Sequence, residues 1–265
     1  MAEQQPQMLD IEDVHGKRQL AWLRTDATEK GEDEPGVLWL PGFNSTMTSS
    51  KATALAAWAA KSGRELTRFD YTGHGASGGR FEDGTIGLWL ADCLAAFKQL
   101  TVGPQIVVGS SLGGYLGLLL AQELDKPQRK PSPKRLAGLV LIAPAWNMTE
   151  RLMWANMSAD ARAILVKERV WLRPSEFGPP YPITRRLIEE GRKHLIDVDD
   201  LKLTCPLRVL HGQKDEDVPF EGSRELVEAQ ADPDARLIAI PDGDHRLARD
   251  QDIARLIQEI EGIEG

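Results

Sequence analysis

Ile106-Val107-Val108-Gly109-Ser110-Ser111-Leu112-Gly113-Gly114-Tyr115-Leu116 is the stretch on which the fold of this chain turns. Three β-branched residues, the composition of a buried strand, lead into a leucine-rich segment of helical character that ends near Leu124. Between them stands a G-x-S-x-G pentapeptide. A tight strand-to-helix turn crowds together the residues two before and two after its centre, so both must be small. Glycine holds both places only when Ser111 is the centre; centring on Ser110 puts Val108 and Leu112 there. Such a pentapeptide also arises by chance, as a glycine-rich turn without chemistry. The strand before it and the helix after it make it a candidate nucleophile elbow.

Working outward, the hydrophobic period keeps switching between the same two forms. Short apolar runs lie at residues 37–40, 66–71, 106–108, 139–143, 207–210 and 237–240. Near-continuous apolarity over so few residues is what a strand covered on both faces requires. Helical patterns lie between them at residues 51–61, 85–100, 113–124, 221–229 and 251–260. This alternation predicts an α/β fold, a mostly parallel central sheet with helices on both faces. Residues 8–12 and 19–24 alternate polar and apolar, as an antiparallel hairpin at the sheet edge would. Residues 145–203 break the rhythm, and a gap of that length needs structure of its own. Three of the seven tryptophans (Trp146, Trp154, Trp171) and three of the six methionines (Met148, Met153, Met157) fall there. The segment reads as a small helical lid inserted after the sixth strand, leaving residues 1–144 and 204–265 as the core domain. Residues 126–134, rich in Pro and Lys, read as a solvated loop.

Composition narrows the function classes. The 265 residues carry 32 Lys+Arg against 40 Asp+Glu, a net charge of −8, and 42% are hydrophobic. That is too apolar for disorder and too acidic for a nucleic-acid binder. The two cysteines, Cys93 and Cys205, sit in apolar patterns as small core fillers. Neither a C-x-x-C nor a His-rich tract calls for a metal, and no cofactor is expected. No apolar run approaches the ~18 residues of a membrane span. The polar, acidic first eleven residues lead to the expectation of a cytoplasmic protein, a monomer or weak homodimer.

A serine hydroxyl needs a base to take its proton, and the base needs an anion to orient it. In a fold of this type those partners follow the serine in the order Asp or Glu, then His, on loops at the carboxyl ends of strands. After residues 207–210 comes His211-Gly212-Gln213-Lys214-Asp215-Glu216-Asp217, and after 237–240 comes Pro241-Asp242-Gly243-Asp244-His245. Asp215 is the candidate orienting carboxylate, with Glu216 and Asp217 as alternatives, and His245 is the candidate base. His15 precedes a hairpin strand, and His194 falls in the lid. His211 reads as a packed core residue and His74 as a brace for its own loop. The backbone N–H groups of Leu112 and Phe43 are the candidate oxyanion donors, the second from the loop Pro41-Gly42-Phe43-Asn44.

The combination Leu40-Pro41-Gly42-Phe43, Arg68-Phe69-Asp70-Tyr71-Thr72-Gly73, Gly109-Ser110-Ser111-Leu112-Gly113-Gly114, His211-Gly212-Gln213-Lys214-Asp215 and Asp244-His245-Arg246 resembles the α/β-hydrolase superfamily from about Val37 to Ile260. It is similar, more narrowly, to the palmitoyl-protein thioesterase and acyl-glucuronide esterase branch, mitochondrial in eukaryotes, and to its bacterial relatives. The lid segment Val170-Trp171-Leu172-Arg173-Pro174-Ser175 is similar to that branch too. The resemblance implies an α/β-hydrolase fold with a Ser111, Asp215, His245 triad and an acyl-enzyme intermediate. A small-molecule or S-acylated substrate with an apolar acyl group is expected, met by Trp146, Met153 and Trp154 of the lid. Haloalkane dehalogenase and epoxide hydrolase chemistry is disfavoured, since both need a carboxylate where Ser111 stands. A ligand-binding receptor or interaction module on the same scaffold is the alternative.

Overall fold

The computed structural model describes residues 5–126, 135–174 and 179–263. Most of the solvated loop expected at 126–134, and Ser175 of the lid segment, lie outside the described residues. Strands β1 (Gln7–Asp13) and β2 (Gly16–Thr25) form the expected hairpin, followed by β3 (Gly36–Leu40), β4 (Leu66–Phe69), β5 (Gln105–Ser110) and β6 (Leu136–Ile142). Among the described residues β7 (Val170–Arg173) and β8 (Tyr181–Thr184) pair only with each other, and β9 (Leu207–Gly212) and β10 (Arg236–Ile240) complete the main sheet. Its order is β1-β2-β4-β3-β5-β6-β9-β10. β1–β2 and β2–β4 are antiparallel; every later neighbour is parallel.

The apolar runs are explained by what covers each face. Successive strand residues point to opposite sides of a sheet. Leu38, Leu40, Val107, Leu139, Leu141 and Val209 enter one cluster, and their neighbours Val37, Trp39, Ile106, Val108, Val140 and Leu210 enter the other. The first side is covered by α2 (Ile86–Gln99), α3 (Leu112–Leu124) and α6 (Phe220–Glu228), the second by α1 (Ser50–Ser62) and α7 (Asp250–Glu261). The α-helices packed there favour apolar residues at the strand positions beneath them. β10 departs from the expectation of full burial. It is the last strand of the sheet, and Arg236 and Ala239 are exposed. Both cysteines are buried.

The chain between β6 and β9 corrects the expectation of a helical lid in one respect. It holds a π-helical turn (Thr149–Trp154) and two α-helices, α4 (Ala159–Glu168) and α5 (Arg185–Gly191), but β7 and β8 between them form an antiparallel ribbon. Val170, Trp171, Tyr181 and Ile183 are the β-branched and aromatic residues that favour it. Nor does the segment hold a core apart. Trp146, Met148, Met153, Met157, Leu165, Ile183 and Leu187 join the same cluster as Trp89 of α2 and Tyr115 of α3.

Candidate active site

Ser111 is the single residue between β5 and α3, and it takes φ 54° and ψ −112°. This left-handed region is uncommon for a residue with a Cβ, so the surroundings must hold it there. Its N–H donates to the Ile142 carbonyl at 2.8 Å, and its carbonyl accepts from Ala145 at 3.1 Å and Tyr115 at 3.2 Å. The flanking glycines are steric necessities. A Cβ on Gly109 would strike the Gly113 carbonyl, and one on Gly113 would strike the Leu40 carbonyl. The half-buried Ser111 is thus turned out at the carboxyl end of the sheet.

Two further loops meet it. A Cβ on Gly212 would collide with the Gly243 carbonyl, and Lys214 N–H donates to that carbonyl at 2.9 Å. The loops after β9 and β10 are therefore joined along their backbones. In the second, Asp244 accepts from the N–H groups of Arg246 and Leu247, both at 3.0 Å, and the Lys51 ammonium donates to the Arg246 carbonyl. His245 emerges with Nε2 3.1 Å from Ser111 Oγ and Nδ1 2.7 Å from Asp215 Oδ2. An ionised carboxylate only accepts, so Nδ1 carries the ring proton and Nε2 presents its lone pair to the serine hydroxyl. Burial pushes the Asp215 carboxyl up, but hydrogen bonds from His211, His245 and the Val218 N–H hold it well below the usual carboxylate range.

The structure thus brings together three of the residues singled out in the sequence. Of the alternatives to Asp215, Glu216 and Asp217 are both exposed. Asp215, Asp217 and His245 lie within reach of a common ion. Four N–H donors already occupy the Asp215 oxygens and Nδ1 of His245 is committed, so the group fits a proton relay better than a metal.

The Leu112 N–H opens α3, and the loop 41–44 runs alongside: a Cβ on Gly42 would lie 3.6 Å from that of Ser111. Among the described residues neither the Leu112 nor the Phe43 N–H has a protein acceptor. Sequence reasoning missed how firmly this loop is held. Tyr71 Oη donates to the Pro41 carbonyl at 3.0 Å, Asp70 Oδ1 accepts the Met47 N–H at 2.6 Å, and Arg68 donates to the Met47 carbonyl at 3.0 Å. His74 Nε2 accepts the Asn44 N–H at 3.3 Å, so the histidine braces the neighbouring loop as well as its own. Burial brings His74 down to about 4, leaving it neutral. The Phe43 ring packs on His74, Phe81, Trp89 and Tyr181, with centroids 5.1 to 6.4 Å away.

The three lid residues singled out as substrate contacts hold different places. Trp146 donates Nε1–H to the Gly222 carbonyl at 3.0 Å, with the Arg151 guanidinium 4.0 Å from its ring centroid. Trp154 has Arg162 and Arg192 against its ring at 5.0 and 5.3 Å. Met153 is buried and lines a cavity of about 80 Å³ with Leu152, Met157, Trp171, Arg173 and Ile183. His194 pairs with Glu190 at 2.6 Å, and His15 is exposed in the hairpin turn.

Comparison with known proteins follows the same lines. Residues 37–259 match the model of the alpha/beta hydrolase family. Over 231 residues the chain is 33% identical to the mouse protein named palmitoyl-protein thioesterase ABHD10, mitochondrial, covering 86% of this chain and 75% of that one. The human protein of the same name is 31% identical over 86% of this chain and 72% of its own length. Among solved structures, one from Agrobacterium vitis S4, assigned as a hydrolase, is 37% identical with a TM-score of 0.91 over 98% of both chains. The structure of mouse alpha/beta hydrolase domain-containing protein 10 is 30% identical with a TM-score of 0.81, covering 96% of this chain and 97% of that one.

Proposed function

The chain belongs to the alpha/beta hydrolase family, and from that premise we propose that it is a serine hydrolase cleaving esters or thioesters of apolar acyl groups through an acyl-enzyme. One observation carries the reading: the unprotonated nitrogen of His245 faces the Ser111 hydroxyl at 3.1 Å while its other nitrogen is held by a buried carboxylate. In this mechanism Ser111 Oγ attacks the acyl carbonyl carbon as its proton passes to His245 Nε2. Asp215 stabilises the imidazolium that forms. The uncommitted N–H groups of Leu112 and Phe43 receive the oxyanion, and the positive end of α3 favours the same charge. His245 then protonates the leaving alcohol or thiol. Water repeats the sequence to free the acid and regenerate Ser111.

A thioester substrate is supported by the names of the mouse and human relatives, which are palmitoyl-protein thioesterases. Five of the seven residues lining the lid cavity are apolar, Asn156 and Arg173 being the exceptions, which supports an apolar acyl group. A fluorophosphonate probe and a panel of p-nitrophenyl esters, acyl-CoAs and S-acyl peptides test the reading together. Probe labelling and turnover are both expected, and Ser111→Ala or His245→Ala should lower kcat on the order of 10⁴–10⁶-fold. Losses below tenfold in both variants would sink the triad assignment, and a wild-type protein that neither labels nor turns over would favour the ligand receptor instead.

A further inference from the structure

Two histidines meet on one oxygen of Asp215. Oδ2 lies 2.7 Å from His245 Nδ1 and 3.0 Å from His211 Nε2, while Oδ1 accepts the Asp217 N–H at 2.9 Å and the Val218 N–H at 2.8 Å. Four donors saturate the acceptor sites of one carboxylate. His211, in β9, is fully buried, its ring 5.5 Å from that of Phe220. Its protonation pattern is forced by its neighbours. Nε2 faces two oxygens that only accept, Asp215 Oδ2 and the Val218 carbonyl, each at 3.0 Å, so Nε2 carries a proton. Nδ1 is 2.7 Å from Ser223 Oγ, a buried hydroxyl on α6 that can donate to it.

We infer that His211 is a positioning residue for the acyl-transfer centre: its Nε2–H fixes the plane of the Asp215 carboxylate so that Oδ2 points at His245, and Ser223 supports the tautomer that does this. The inference rests on the serine-hydrolase reading of Ser111, His245 and Asp215. The last side-chain torsion of Asp is broad, and the two backbone bonds hold only Oδ1. His211 is the donor besides the base itself that holds Oδ2. Releasing it lets the carboxylate swing while His245 must become an imidazolium, and misplacement of about 1 Å can cost about 10²-fold in rate.

Two substitutions separate this role from packing. His211→Gln keeps an amide N–H near the position of Nε2, whereas His211→Asn is one methylene too short to reach Asp215. Asn should lower kcat by about 10²-fold with KM little changed, and Gln should recover most of that loss. Equal losses in the two variants that follow their thermal midpoints, or full activity in both, would overturn the inference. NMR of wild-type protein labelled with ¹⁵N-histidine needs no variant. His211 should appear as the Nε2–H tautomer, and an Nδ1–H tautomer would refute the assignment. Ser111→Ala in the same assay keeps the two questions apart. If it is as active as wild type, the hydrolase reading falls and the inference with it. If it is inactive while His211→Asn turns over normally, only the role of His211 is lost.

Discussion

Asp215 turns one carboxylate oxygen toward His245 because the other closes its own loop, accepting the N–H groups of Asp217 and Val218. Glu216 and Asp217 stay in solvent. Substitution should divide the acids sharply. Asp215→Asn puts an amide where the base needs an acceptor, favours the wrong tautomer, and should lower kcat on the order of 10⁴-fold. Asp217→Asn, at an exposed position, should stay within about fivefold, the modest change expected of an exposed charge. Steady-state kinetics of the two variants decide it, and comparable losses would reassign the carboxylate. The difference in legibility is physical. Ser111 could be chosen over Ser110 from the sequence because the elbow's crowding is local, imposed by Gly109 and Gly113 within five residues. Asp215 could be preferred to Glu216 and Asp217 from the sequence but not set apart from them, because what selects it is the approach of a loop thirty residues on, through the Gly212–Gly243 contact.

At the scale of elements, the apolar runs located the strands and missed where they end. β4 stops at Phe69; the Asp70 N–H still donates to the Ala21 carbonyl of β2 at 3.0 Å, while its carboxylate accepts the N–H groups of Met47 and Ala76. The ribbon β7–β8 was illegible as strands because four residues a side are too few to show alternation against a helical background. His74 ties the loop after β4 to the loop after β3, and its burial makes a pH prediction. A histidine whose folded pKa is lowered from 6.5 to about 4 binds fewer protons folded than unfolded between those values. Unfolding free energy must then rise with pH across that window, so acidification from pH 7 to 4.5 should cost about 2–3 kcal/mol through this residue. Buried Asp70 and Asp92 are shifted upward by burial and act in the opposite sense at the acid end. The difference between wild type and His74→Gln isolates the histidine. Urea titrations at several pH values should give a wild-type curve that falls more steeply below pH 6.5 than the variant's; parallel curves would mean that His74 takes up its proton without leaving the folded state.

For the molecule as a whole, the question is whether residues 145–203 behave as a lid on a finished domain or as part of its interior. Their composition, rich in Trp and Met, was compatible with either. The packing favours the second. Met153, Met157, Leu165, Ile183 and Leu187 share one cluster with α2 and α3, and Tyr115 Oη donates to the His194 carbonyl at 2.5 Å. Glu190 accepts the Gly87 N–H that begins α2 at 3.1 Å. Stripping the segment away would expose to water the apolar surface of α2 and α3 that it now covers, at about 25 cal/mol per Å². The full chain should therefore unfold in one cooperative step, with far-UV and near-UV circular dichroism tracing the same transition and calorimetric and van't Hoff enthalpies agreeing. Replacing residues 145–203 by a short linker should abolish that transition rather than yield an open, active core. An early, separate loss of the near-UV signal in the intact chain, or a shortened protein that still melts cooperatively, would show that the segment is a detachable cover after all.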